Sequence, residues 1–220
     1  LTGRLADSAL RSLARKLPVV VTGRSLKAGN LVSMDFDNRE GARQATRHLI
    51  DLGHRRVAFI GGDPEHPDAI DRQQGYRSAV EAAGLRFDPA LVTQGNFSEH
   101  SGLLAVERLM DSRTRFSAVF AANDQMAIGA ALGLHRRGRR IPDDVSLVGF
   151  DDFEWMTALR PFVSAFSQPT ARLAAEAWDI LLRQLTPGFD RTRQRDLAKI
   201  TLAGEFRIRE SSGRAPASGA

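Results

Sequence analysis

The chain has 220 residues, 42% apolar and 26% charged, with 31 Lys and Arg against 26 Asp and Glu for a formal net charge of +5. That length allows one large domain or two small ones around a sizeable core. The lack of cysteine excludes a disulfide framework, a thiolate nucleophile and a thiolate zinc site, and no apolar run approaches the ~18 residues of a membrane helix.

The opening stretch LTGRLADSALRSLARKLP spreads its charges and lacks a signal-peptide core, and without an initiator Met the chain is expected to be a fragment. PVVVT (18–22) reads as a buried strand. Ala42, Ala45, Leu49 and Leu52 share one face of a helix that Gly53 stops. RVAFIGG (56–62) is a strand running into a glycine turn, and Ala79, Val80 and Ala83 mark a helix ended by Gly84. LVTQG (91–95) is a short strand, after which Ser98 caps a helix carrying Leu103, Val106 and Met110. FSAVFA (116–121) is a strand, and Asn123 or Asp124 caps the helix that ends at Gly138. VSLVGF (145–150) is another strand. Thr170 caps a helix carrying Ala174, Ala177 and Leu181, closed by Pro187 and Gly188, and the small polar tail 211–220 is expected to be disordered.

Strands that are apolar throughout and alternate with helices predict an α/β fold with parallel sheets covered on both faces. Ligands of such sheets bind beyond the carboxyl ends of the strands, which selects 61–63, 94–97, Asn123–Asp124 and Asp151–Asp152.

The chemistry at these positions suits binding. Asp151 and Asp152 could serve acid–base work, but neighbours on an extended chain point opposite ways, so one faces a cleft while the other caps or pairs locally. Asn123 is a ligand-facing amide or a helix cap. Arg72 presents a fork for carboxylate, phosphate or vicinal hydroxyls, or forms a surface ion pair. Phe97 stacks on a sugar or purine, or packs in the core. The five histidines form no zinc-binding pair, no nucleotide-binding glycine motif or nucleophile elbow appears, and DFDNREG (35–41) fails as a calcium loop. No metal and no cofactor is expected. The arginine runs 136–140 and 191–195 read as a solvated helix end and a loop rather than a phosphate-backbone surface.

HLIDLGHRRVAFIGG (48–62), RQQGYRSAVEAAGL (72–85), FAANDQMAIGAALGLHRRGRRIPDDVSLVGFDD (120–152), SQP (167–169) and a closing strand with IRES (208–211) occur together, in order. The combination resembles the lactose-repressor/galactose-repressor family of transcription regulators, over nearly the whole chain from Pro18 to Ser211. The resemblance implies a two-lobed, periplasmic-binding-protein-like fold whose N-terminal lobe is incomplete here. It divides the chain into 1–52 (partial N-terminal lobe), 53–163 (C-terminal lobe), 164–186 (return segment of the N-terminal lobe), 187–210 (completion of the C-terminal lobe) and the tail. It puts an effector between the lobes, on Arg72, Phe97, Asn123, Asp151 and Gln168. PFVSAF (161–166) departs from the family's usual P-P-L-T-T-V, which puts the hinge in doubt. The implied protein is a cytoplasmic homodimer, not an enzyme, that senses a sugar, sugar derivative or purine and binds operator DNA through a helix-turn-helix missing from these residues. The alternative is a solute-binding protein of a sugar transporter, which needs a signal peptide.

Overall fold

The computed structural model describes residues 5–112, 114–158, 160–186 and 199–217. The second arginine run (191–195), the Pro187-Gly188 stop and the end of the tail lie outside these. The chain divides into two compact units, one of residues 1–37 and 169–204, the other of 38–168 and 205–220.

In the smaller unit, strands β1 (Val19–Thr22), β2 (Leu31–Phe36) and β8 (Lys199–Leu202) form a parallel sheet in the order β1-β2-β8. Helix α1 (Asp7–Ala14) sets Leu10 and Ala14 against Val19, Val21 and Leu31, while Leu173, Ala177 and Ile180 of α6 (Thr170–Leu185) pack with Val32, Met34 and Leu202. Of the residues expected on the buried side of α6, Ala177 packs against the sheet and Leu181 is half-buried, but Ala174 is exposed while Leu173 and Ile180 pack there, and Thr170 begins the helix without capping it through its side chain. Both sides of α6 are partly apolar, Trp178 and Leu182 being exposed, so periodicity alone did not fix the buried side.

The larger unit holds a six-stranded sheet. Strands β3 (Val57–Gly61), β4 (Val92–Gln94), β5 (Ala118–Ala121), β6 (Ser146–Phe150), β7 (Ser164–Ser167) and β9 (Glu205–Arg207) are ordered β4-β3-β5-β6-β7-β9, and all neighbours are parallel except β7 and β9. The residues of β3, β5 and β6 are all buried, as their unbroken apolar runs predicted. Helices α2 (Asn38–Asp51), α3 (Pro67–Ala82), α4 (Glu99–Asp111) and α5 (Asp124–Arg136) flank this sheet. Gly75 lets α3 lie close on α2, since a Cβ there would run into the Arg39 carbonyl oxygen and Ala42.

Three boundaries differ from those expected. Helix α2 belongs to the larger unit, where Ala42, Ala45, Leu49 and Ile50 join the main core. Residues 164–168 belong there too, because β7 hydrogen-bonds to β6. The last strands divide, β8 pairing with β2 and β9 with β7.

Residues 211–217 are ordered where disorder was expected. The Ser211 N–H donates to Phe162 O, and the Leu147 N–H donates to Ser211 O. The Ser211 hydroxyl donates to Leu147 O at 2.6 Å, and the Gly213 N–H donates to Ser146 Oγ. Fully buried His54 meets Ser117 Oγ through Nδ1 at 2.8 Å and the Gly213 carbonyl oxygen through Nε2 at 3.1 Å. Small polar residues carry no hydrophobic signal, yet these bonds satisfy them inside the protein.

Candidate ligand-binding site

Arg72, carried on α3, meets the residues just past the carboxyl ends of β5 and β6, Ala122 and Asp151. Its side chain is 5% exposed. Nε donates to Asn38 Oδ1 at 2.9 Å and Nη1 to the Ala122 carbonyl oxygen at 2.5 Å. Nη1 also lies 3.4 Å from Asp151 Oδ2, and Nη2 lies 3.9 Å from Asp68 Oδ2. The guanidinium plane rests over the Phe150 ring, 3.9 Å from its centroid. A buried cation demands this degree of satisfaction.

Asp151 follows β6 directly and adopts a left-handed backbone, φ 66°. Asp tolerates this conformation better than most residues, and it turns the carboxylate toward Arg72. Burial pushes the Asp151 carboxyl above the usual carboxylate range, against the pull of Arg72, and nearby Asp124 and Asp68 push the same way as burial. Asp124, first residue of α5, is also raised by burial, opposed by backbone N–H donors and Arg72.

Asp152 points elsewhere. Its carboxylate, 3% exposed, pairs with Arg209 at 2.7 Å and Arg207 at 2.9 Å. Burial alone would raise this carboxyl, but the two arginines hold it below the ordinary value. The pair of aspartates therefore divides as expected, one at the strand-end cluster and one in a local clamp on β9 and the residues after it.

Asn123 is a cap and a tether together. Its Oδ1 accepts from the Met126 N–H at 2.9 Å, closing the first turn of α5, and Nδ2 donates to the Phe97 carbonyl oxygen at 3.0 Å. The cap is thus Asn123 and not Asp124. Phe97 has φ 66°, unusual for a bulky residue, and lies over Gly62, where any side chain would strike its ring. His66 meets the ring edge-on at 5.4 Å. Gln168, just past β7, reaches Asn38 Oδ1 at 3.4 Å.

Arg72 and Gln168 are therefore linked through Asn38, Asp151 joins them through Arg72, and Asn123 is linked to Phe97. The sequence reading missed Asn38, Asp68 and His66. Asn38 follows β2 by two residues, so the strand-end rule would have found it had LVSMDF been read as a strand.

The model of the periplasmic binding protein-like domain matches residues 46–212. The chain belongs to that family. Among its relatives, the HTH-type transcriptional regulator CelR of Thermobifida fusca is 39% identical over 172 residues, which cover 77% of this chain and 51% of CelR. A solved structure named as the transcriptional regulator CelR-cellobiose complex superposes with a TM-score of 0.77 at 36% identity, covering 88% of this chain and 58% of that one. The Escherichia coli transcriptional repressor ascG gives a TM-score of 0.80 at 29% identity, covering 95% and 75%. Family members of known structure thus share the mostly parallel α/β architecture, and these relatives are LacI-type regulators rather than enzymes. The chain spans about half the length of the curated relatives it matches.

Proposed function

We propose that this chain is the effector-binding core of a LacI-type transcription regulator, taking a sugar or sugar derivative on Arg72, Phe97, Asn123, Asp151 and Gln168, with Asn38 as a further contact. The observation that carries the reading is the Arg72–Asn38–Asp151 cluster at the strand carboxyl ends, where a parallel sheet binds its ligands. Aspartate and amide oxygens accept sugar hydroxyls, and Phe97 offers an apolar ring for stacking. Two relatives bear names that point the same way, the CelR-cellobiose complex and the ribose operon repressor of Haemophilus influenzae.

The role is binding without turnover. The parent protein would be a cytoplasmic homodimer that reads operator DNA through a helix-turn-helix outside these residues. Among the described residues no helix is long and apolar enough to cross a membrane.

The test is a thermal-shift screen of sugars, sugar phosphates, polyols and nucleobases. A true effector at about 100 times its Kd adds about 2.7 kcal/mol, a plainly visible shift. The reading fails if no compound shifts the transition, or if the Asp151→Ala protein responds like the parent.

A further inference from the structure

The charge around Arg72 narrows the class of effector, on the reading that this cluster is the effector site. Arg72 supplies the cluster's guanidinium, and its donors at Nε and Nη1, one of which belongs to each edge of the fork, are already occupied. Nε serves Asn38, Nη1 serves Ala122 O and faces Asp151, and Nη2 faces Asp68. Its flat face is covered by Phe150. An arginine that captures a phosphate or carboxylate must offer an open fork of two parallel N–H groups. Arg72 offers none.

Three carboxylates surround that single guanidinium. Asp68 stands one turn before Arg72 on α3, Asp151 follows β6, and Asp124 opens α5 within electrostatic reach of both Arg72 and Asp151. His66, the N-cap of α3, stands 4.0 Å from the Asp68 carboxylate. The carboxylates of Asp68 and Asp151 are partly open, at 25% and 20% exposure. The surface a ligand meets is therefore rich in acceptors and negative in sign. Hydroxyl groups donate to such acceptors, and an ammonium group gains Coulomb energy there. A phosphate ester or a sugar acid meets like charge there, which weakens its binding.

We infer that the site selects an uncharged polyhydroxylated ligand, tolerates an amino group in place of a hydroxyl, and rejects the phosphorylated and carboxylate forms of the same compound, with Asp68 and Asp124 setting the discrimination. Asp151 is shared between the ligand and Arg72, whereas Asp68 and Asp124 act mainly through their charge.

The experiment is titration calorimetry on the full-length protein at pH 8 with matched probes: cellobiose and cellobiose 6-phosphate, ribose and ribose 5-phosphate, glucose with glucose 6-phosphate, gluconate and glucosamine. In every set that binds, the neutral member should bind about tenfold or more tightly than its ester or acid. Asp68→Asn with Asp124→Asn should shrink that ratio, mainly by improving the anionic member. Should the double variant not fold, Asp68→Asn alone is read in the same way. An ester or acid that binds as tightly as its neutral parent overturns the inference, and so does a ratio unmoved by the substitutions. Binding of no member of any set, by a protein that is folded by circular dichroism, removes the effector reading itself and this inference with it.

Discussion

The Arg72 guanidinium and the Asp151 carboxylate lie 3.4 Å apart at the end of β6, the arginine side chain 5% exposed and the aspartate 20%. The two are unequally committed. Arg72 also holds the Asn38 amide, the Ala122 carbonyl, the Phe150 ring and, at 3.9 Å, the Asp68 carboxylate. Asp151 keeps part of its carboxylate for something else. Asp151→Ala should weaken effector binding by roughly tenfold or more, one to two charge-assisted bonds at about 1.5–3 kcal/mol each, with a modest change in the unfolding midpoint. Arg72→Ala should instead cost about 3 kcal/mol or more of stability, because it strips a buried network of its cation. Urea unfolding of the two variants distinguishes these roles, and equal destabilisation by both would refute the division.

Asp152→Ala should show the reverse of Asp151→Ala. It leaves Arg209, 17% exposed, without its carboxylate, so a loss of about 2 kcal/mol in stability is expected, with effector affinity changed less than threefold or so. The pH dependence follows from the sign of the shift. The folded carboxyl is held below its ordinary value, so the clamp contributes fully above pH ~4 and is lost as pH falls through the lowered folded value. Acid unfolding of the Asp152→Asn protein should lack that component.

His48 and His54 should make the protein less stable below neutrality. Burial lowers the proton affinity of both rings, offset in part by Asp51 for His48, which His54 lowers further, and by the Gly213 carbonyl for His54. The unfolded chain then binds more protons, so this stability is complete above the unfolded pKa of ~6.5 and declines as pH falls below it toward the folded values. Asp124 and Asp151, raised by burial, act with the opposite sign above pH ~4, so the comparison must be with a variant. His54→Gln should flatten the fall in urea midpoint between pH 8 and pH 5.5. An unchanged slope would remove His54 from the account.

Truncation after Glu210 should destabilise the larger unit by about 3 kcal/mol or more, since Ser211 and Gly213 make several buried bonds to Phe162, Leu147, Ser164 and Ser146. Ser211→Ala alone should cost about 1–2 kcal/mol. A truncated protein with the parent's melting temperature would show that the tail contributes nothing.

The strands β3, β5 and β6 were legible because burial on both faces forces an unbroken apolar run, and the helix caps at Ser98 and near Asn123 were legible from residue type. LVSMDF was not read as a strand, because Ser33 and Asp35 break the run. Ser33 is nonetheless buried, its hydroxyl bonded to the Leu26 backbone. That omission hid Asn38 as well. The order of Ser211–Gly213 escaped notice for a related reason: hydrogen bonds, not apolar area, hold it, and their partners lie some fifty residues or more away in the chain. Asp151 follows from the strand-end rule and the family motifs together, Arg72 and Gln168 from the motifs, while Asn38, the partner of Arg72 and Gln168, is visible only in three dimensions.

Gly75 sits one turn beyond Arg72 on α3, at the point where that helix touches the backbone of α2. The closeness of the two helices fixes the distance from Arg72 to Asn38, so this pair is held by two helices and not by a loop. Side chains immobilised in advance have little rotamer freedom left to lose, which reduces the entropic opposition to capture of a small hydroxylated molecule. The same stiffness makes the cluster intolerant of adjustment. A ligand bridging Arg72 and Asn38 would therefore meet a spacing set by helix packing rather than by the ligand.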